Sequence, residues 1–234
     1  MSGLSVLSSH RVGFPPPESA LAEPNGLLAV GGSLTPEWLL AAYARGIFPW
    51  FDDDASPLLW WSPDPRAVLL PEELRVTRSL AKRIRNAGFD VTMDQAFADV
   101  VAACAAPRGA EAGTWITADM ARAYAELHEM GFAHSVETRL DGELVGGLYG
   151  VSLGRMFFGE SMFARQRDAS KVALYHLTLR ARDWNFSLID CQIMNEHLRS
   201  LGAREMPRAE FLRLVHENRA EPTRRGSWAD ETAR

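Results

Sequence analysis

The chain is poor in the residues that most readily mark a site from composition. It has two cysteines, Cys104 and Cys191, in 234 residues, too few and too far apart for a disulfide framework or a thiolate cage. They read as free thiols. The six histidines show no ligand spacing, so no metal is expected. No apolar run approaches the roughly 18 residues of a membrane span, and residues 1–12 lack a basic segment followed by an apolar one. The expectation is a cytoplasmic protein with no membrane partner. A surplus of positive charge is missing too. With a net charge of −5, any polyanion must be held by a local patch.

One such patch is present. Residues 75–85 read Arg-Val-Thr-Arg-Ser-Leu-Ala-Lys-Arg-Ile-Arg, five cations and no acid. On a helix Arg78, Lys82 and Arg85 fall on one face and Leu80 and Ile84 on another. A one-sided basic stripe suits a phosphate backbone, although most charge runs are only solvated faces.

Punctuation divides the rest. The first sixty residues are rich in Pro, Gly and Trp, and Thr35-Pro36-Glu37 starts a helix that Gly46 stops. This predicts a small N-terminal domain over 1–63, a catalytic domain over 64–219 and a flexible tail over 220–234. Within 64–219 the expected order is strand 67–70, helix 77–87, extended 90–93, helix 95–105 and a helix capped by Thr117. A hairpin follows, turning at Asp141-Gly142, then strand 155–158, helix 168–183, strand 187–190 and two short helices. The fold class is α+β with a mixed central sheet. Its element order resembles the acyl-CoA N-acyltransferase (GNAT-type) fold.

Two carboxylates stand out, because Asp and Glu are almost never buried unless paired. Glu160 lies in Phe157-Phe158-Gly159-Glu160-Ser161-Met162-Phe163, where 159–162 reads as a loop between strand and helix. Asp190 lies in Leu188-Ile189-Asp190-Cys191-Gln192. Strand alternation puts Asp190 and Gln192 on one face, where the acid can orient the amide and the amide oxygen can accept from an amine. An Asp that caps the helix starting near Asn195 is the plainer alternative. Residues 164–170 contain no glycine, which speaks against the glycine-rich turn that cradles CoA. Trp50 and Trp115 sit in Gly/Pro/Thr-rich segments, where an aromatic can stack a base or fill a domain interface.

Six segments together resemble the leucyl/phenylalanyl-tRNA–protein transferase family: 24–32, 46–51, 60–66, 113–117, 159–163 and 189–192. The resemblance implies transfer of Leu or Phe, and Met less well, from aminoacyl-tRNA to proteins with N-terminal Arg or Lys, marking them for degradation by the N-end rule pathway. It implies no cofactor, ATP or metal, and a monomer. Asp190 and Gln192 would form the catalytic relay with Glu160 close by, and their replacement should stop turnover in a folded protein. Trp50 and Trp115 would hold the terminal adenosine, and Lys82 and Arg83 the tRNA backbone. Leu148, Phe157, Met162, Leu174, Leu177 and Ile189 would line the side-chain pocket, with Asn195 also at the substrate. Two carboxylates would suit a cationic acceptor. The alternatives are a CoA-dependent N-acetyltransferase on the same fold and a non-catalytic RNA-binding module.

Overall fold

The computed structural model describes residues 4–51, 56–106 and 116–229. Among these residues, four strands form one sheet and seven another. The smaller sheet comprises β1 (Ser5–Leu7), β2 (Leu27–Gly31), β3 (Phe48–Pro49) and β4 (Leu59–Trp61), with α1 (Pro36–Tyr43) between β2 and β3. Pro36 supplies the first turn of α1, and Leu39 and Tyr43 are buried.

The larger sheet opens with β5 (Arg66–Leu69), followed by α2 (Arg78–Asn86), β6 (Phe89–Met93), α3 (Phe97–Ala105) and α4 (Ala118–Glu129). Next come β7 (Ala133–Leu140), β8 (Glu143–Leu153), β9 (Met156–Ala164), α5 (Ala169–Asp183) and β10 (Leu188–Gln192). The last elements are α6 (Glu196–Ser200), β11 (Arg204–Met206) and α7 (Arg208–Asn218). The caps are local. Thr77 accepts from Leu80 N and Thr117 from Met120 N, each at 3.2 Å. Asp141 and Gly142 both take positive φ at the β7–β8 turn, as a two-residue primed turn requires.

The sheet order is β11-β5-β10-β9-β8-β7-β6. β6 to β9 form an antiparallel meander, β10 runs parallel to β9, and β5 is antiparallel to β10. Helix α5 packs on one face, while α3 and α4 pack against the meander and α4 meets α1. The expected domain boundary at 63 falls between β4 and β5. Yet one buried cluster runs through Trp38, Tyr43 and Trp60 to Tyr124, Tyr149 and Phe158, so the two sheets share a core.

Two expectations are corrected. Residues 159–162 are not a loop: β9 continues through them to Ala164, because its far edge stays paired with β8 over Gly146–Tyr149. Nor is the chain after 219 a flexible tail as far as it is described. Gly226 N donates to Gly131 O, at a crossing so close that a Cβ on Gly131 would meet Gly226 N at 2.4 Å. Trp228 is then buried, stacked on His134 with ring centroids 3.7 Å apart, and its backbone N–H donates to Asp94 Oδ2. The apolar area of that indole outweighs the tail's polar composition.

Candidate active site

β9 and β10 pair only over Met156–Phe158 and Leu188–Asp190. Beyond Phe158 and Asp190 they part, and the gap opens a cleft of roughly 1030 Å³. That is the size of a small-molecule site. Each strand carries a polar side chain two residues past the fork, Glu160 on β9 and Gln192 on β10, and Gln192 Nε2 donates to Glu160 Oε1 at 2.8 Å.

Asp190 is wholly buried and paired with an equally buried Arg66. Arg66 Nε and Nη2 meet its two oxygens at 2.7 and 2.6 Å, and Nη1 donates to Gly46 O. The guanidinium lies between the rings of Phe48 and Phe211. This bidentate pair neutralises both charges inside the core. Asp190 therefore does not contact the Gln192 amide. Its Oδ1 accepts the Gln192 backbone N–H at 2.9 Å, and Glu160 is what holds the amide. Nor does simple alternation govern β10. Asp190 pairs with Val68 and Gln192 with Ala67, so Cys191 is the extra residue of a bulge, and Gln192 takes φ 62°. Bulges re-aim side chains beside active sites. Asp190 caps no helix, since Asn195 caps α6 by accepting from Leu198 N.

Glu160 is surrounded by hydroxyls. Tyr43 Oη lies 2.7 Å from Oε1 and Tyr124 Oη 2.7 Å from Oε2, and the two phenol oxygens touch each other. Burial raises its carboxyl to about 7, partly offset by the phenol hydrogen bonds. Tyr43, Tyr124 and Tyr149 are all held above the usual phenol range by burial and by Glu160. Tyr149 Oη is buried on the cleft wall without a hydrogen-bond partner. Burial and Asp190 likewise push the Cys191 thiol up, so it stays protonated and is no nucleophile.

The cleft brings together most of the residues that the sequence singled out. Leu148, Phe157, Met162, Leu174, Leu177 and Ile189 line it, as do Glu160, Asp190, Gln192, Asn195 and Trp50. Trp50 is 39% exposed and braced edge-on by Trp61. Trp115 lies outside the described residues. Arg78, Lys82 and Arg85 are exposed on α2, away from the cleft. Arg83 turns inward, donating to Arg167 O at 2.9 Å and covering the Phe89 ring, which makes it a brace between α2 and the β9–α5 turn. No group of three or more potential metal ligands occurs among the described residues, and none of their helices is long and apolar enough to cross a membrane.

Arg66, Tyr43, Tyr124 and Tyr149 escaped the sequence reading. One signal for the tyrosines was available: the chain has only four, and three of them face Glu160.

Two family models match the chain. One described as leucyl/phenylalanyl-tRNA protein transferase covers residues 68–216, and one described as that protein's N-terminal domain covers residues 32–64. A leucyl/phenylalanyl-tRNA–protein transferase of Aromatoleum aromaticum is 57% identical over 95% of this chain and 94% of its own. One from Nitrosospira multiformis is 59% identical over 87% of this chain and 88% of its own. Among solved structures, a GCN5-related N-acetyltransferase from Kribbella flavida is similar at 13% identity, covering 72% of this chain and 60% of its own with a TM-score of 0.40.

Proposed function

Since the chain belongs to the leucyl/phenylalanyl-tRNA–protein transferase family and is an aminoacyltransferase, we propose that it moves Leu or Phe, and Met less well, from aminoacyl-tRNA to the α-amine of proteins beginning with Arg or Lys. The observation that supports this most is the parting of β9 and β10, which sets the Glu160–Gln192 pair beside an apolar pocket.

An aminoacyl ester is already activated, so attack by an amine needs no ATP or metal. An α-amine with pKa near 7.7–8.0 has a useful neutral fraction at neutral pH. The protein's tasks are to hold the two reactants and to orient the attack. Leu148, Phe157, Leu174 and Leu177 take the transferred side chain, which explains a preference for apolar amino acids. Trp50, with Trp115, stacks the terminal adenosine. Because Nε2 of Gln192 is bound to Glu160, its Oε1 faces the acceptor and accepts from the incoming amine. Asp190 acts through the backbone, fixing Gln192 from behind. It is already neutralised by Arg66, so the acceptor's cationic side chain falls to Glu196, exposed on the cleft lip. The exposed face of α2 carries the tRNA backbone. Transfer of this kind marks the acceptor for degradation by the N-end rule pathway, in the cytoplasm and with the enzyme as a monomer.

The test uses labelled Leu-tRNA or Phe-tRNA and two peptides differing only in an N-terminal Arg or Ala. Label on the Arg peptide alone is the expected result. Acetylation of either peptide by acetyl-CoA, without aminoacyl transfer, would replace this reading with the acetyltransferase one.

A further inference from the structure

Tyr43, Tyr124 and Glu160 touch pairwise: phenol to phenol, Tyr43 to Oε1 and Tyr124 to Oε2. Each side of this triangle needs one proton between its two oxygens. A phenol brings one and an ionised carboxylate none. With Glu160 ionised, two protons serve three contacts, and one side sets lone pair against lone pair. All three side chains are buried, so water does not relieve it. Gln192 does not relieve it either, because its N–H reaches Oε1 from outside the triangle.

We propose that this triangle holds a third proton, carried on Glu160 Oε2, which keeps the carboxyl neutral where the acceptor amine reacts. Oε1 is the carbonyl oxygen, since it receives both Tyr43 and Gln192. The hydrogens then run one way round: Oε2–H to Tyr124, Tyr124 to Tyr43, Tyr43 to Oε1. The other groups facing Glu160 are Tyr149 from β8, Asp190 and Gln192 from β10, and Arg66 from β5. Asp190 and Arg66 cancel, so with Glu160 neutral this end of the cleft has no net charge.

The consequence rests on the reading that the acceptor amine meets Gln192. An ionised Glu160 would hold that amine as ammonium, which has no lone pair for attack. A neutral Glu160 in a desolvated site favours the free amine. Activity then needs a deprotonated amine and a protonated carboxyl together, which gives a bell-shaped profile of kcat/KM against pH.

The first arm of the test is an infrared titration of ligand-free protein, wild type against Glu160→Gln. The wild type should show a neutral-carboxyl C=O band at pH 6 that disappears as the pH rises through about 7, and the variant should lack it. No such band at pH 6 overturns the proposal. The second arm is the pH profile with Arg peptide. Glutamine copies the neutral acid, its amide donating to Tyr124 and its oxygen accepting from Tyr43 and Gln192, so the alkaline limb should vanish. A folded Glu160→Gln protein that keeps the wild-type alkaline limb, or is as inactive as Glu160→Ala, also overturns it. Wild type that shows the band but transfers no amino acid overturns the aminoacyl-transfer reading and leaves the third proton standing.

Discussion

Removing the carboxylate of Asp190 leaves the Arg66 guanidinium as an unpaired charge with no exposure to solvent. An orphan of that kind costs about 3–5 kcal/mol, so Asp190→Ala should lower the urea midpoint sharply. A midpoint within error of wild type would show that Arg66 finds other partners. Asp190→Ala, which the sequence alone leads one to expect folded and inactive, is thus a stability variant, and lost activity in it says little about chemistry. Gln192→Ala is the cleaner probe. It gives up one hydrogen bond to Glu160, about 1 kcal/mol net, but leaves the amine unoriented, which should cost about 10²-fold or more in turnover. Steady-state rates beside a urea melt separate the two effects. Both acids were legible in sequence because a carboxylate inside an apolar run demands a partner. The partner was not. Arg66 lies 124 positions from Asp190, and no local period connects them.

Among the elements, α2 and the C-terminal segment were legible to opposite degrees. Thr77, Leu80 and the cationic face of α2 follow from spacing of three and four residues. What spacing missed is that Arg83 points inward to Arg167. Reversing Arg78, Lys82 and Arg85 to Glu should weaken tRNA binding, and the slope of log affinity against log salt should fall by about 1 for each phosphate left without its cation. Equal affinity at fixed salt would return α2 to an ordinary solvated face. The segment after 219 reads as unstructured because polar residues dominate it, and one tryptophan decides otherwise. Trp228 packs among His134, Phe157, Trp184 and Phe186. Trp228→Ala should cost about 3–5 kcal/mol, read as a fall in thermal midpoint. It should also loosen Phe157 in the cleft wall. The sequence cuts β9 short because Gly159 and Glu160 mimic a turn. Its pairing to β10 is non-local, reached across α5, and the fork exists only once both strands are in place.

For the molecule as a whole, two sets of buried groups push stability with pH in opposite directions. Glu160 binds its proton more tightly folded than unfolded, so what it contributes is present below the unfolded carboxylate range near 4.5 and is lost as pH rises through about 7. His134 is lowered by burial, against the pull of Asp94. The unfolded chain therefore binds that proton more readily, and stability is lost as pH falls below about 6.5. Glu160→Gln should match wild type in urea at pH 4.5 and exceed it at pH 8. Equal stability at both would mean that the folded carboxyl titrates normally.

The shared core has a further consequence for how the chain comes apart. Tyr43 precedes the seam between the two sheets, while Tyr124, Glu160 and Gln192 follow it, so neither half alone contains a complete proton ring. A fragment cut between β4 and β5 would strip Tyr43 on one side from Tyr124 and Phe158 on the other. Denaturation should accordingly be a single cooperative event that fluorescence, circular dichroism and activity all follow at one midpoint. Two fragments, each inert, should regain transfer only on association, because the catalytic machinery belongs to the joint rather than to either piece.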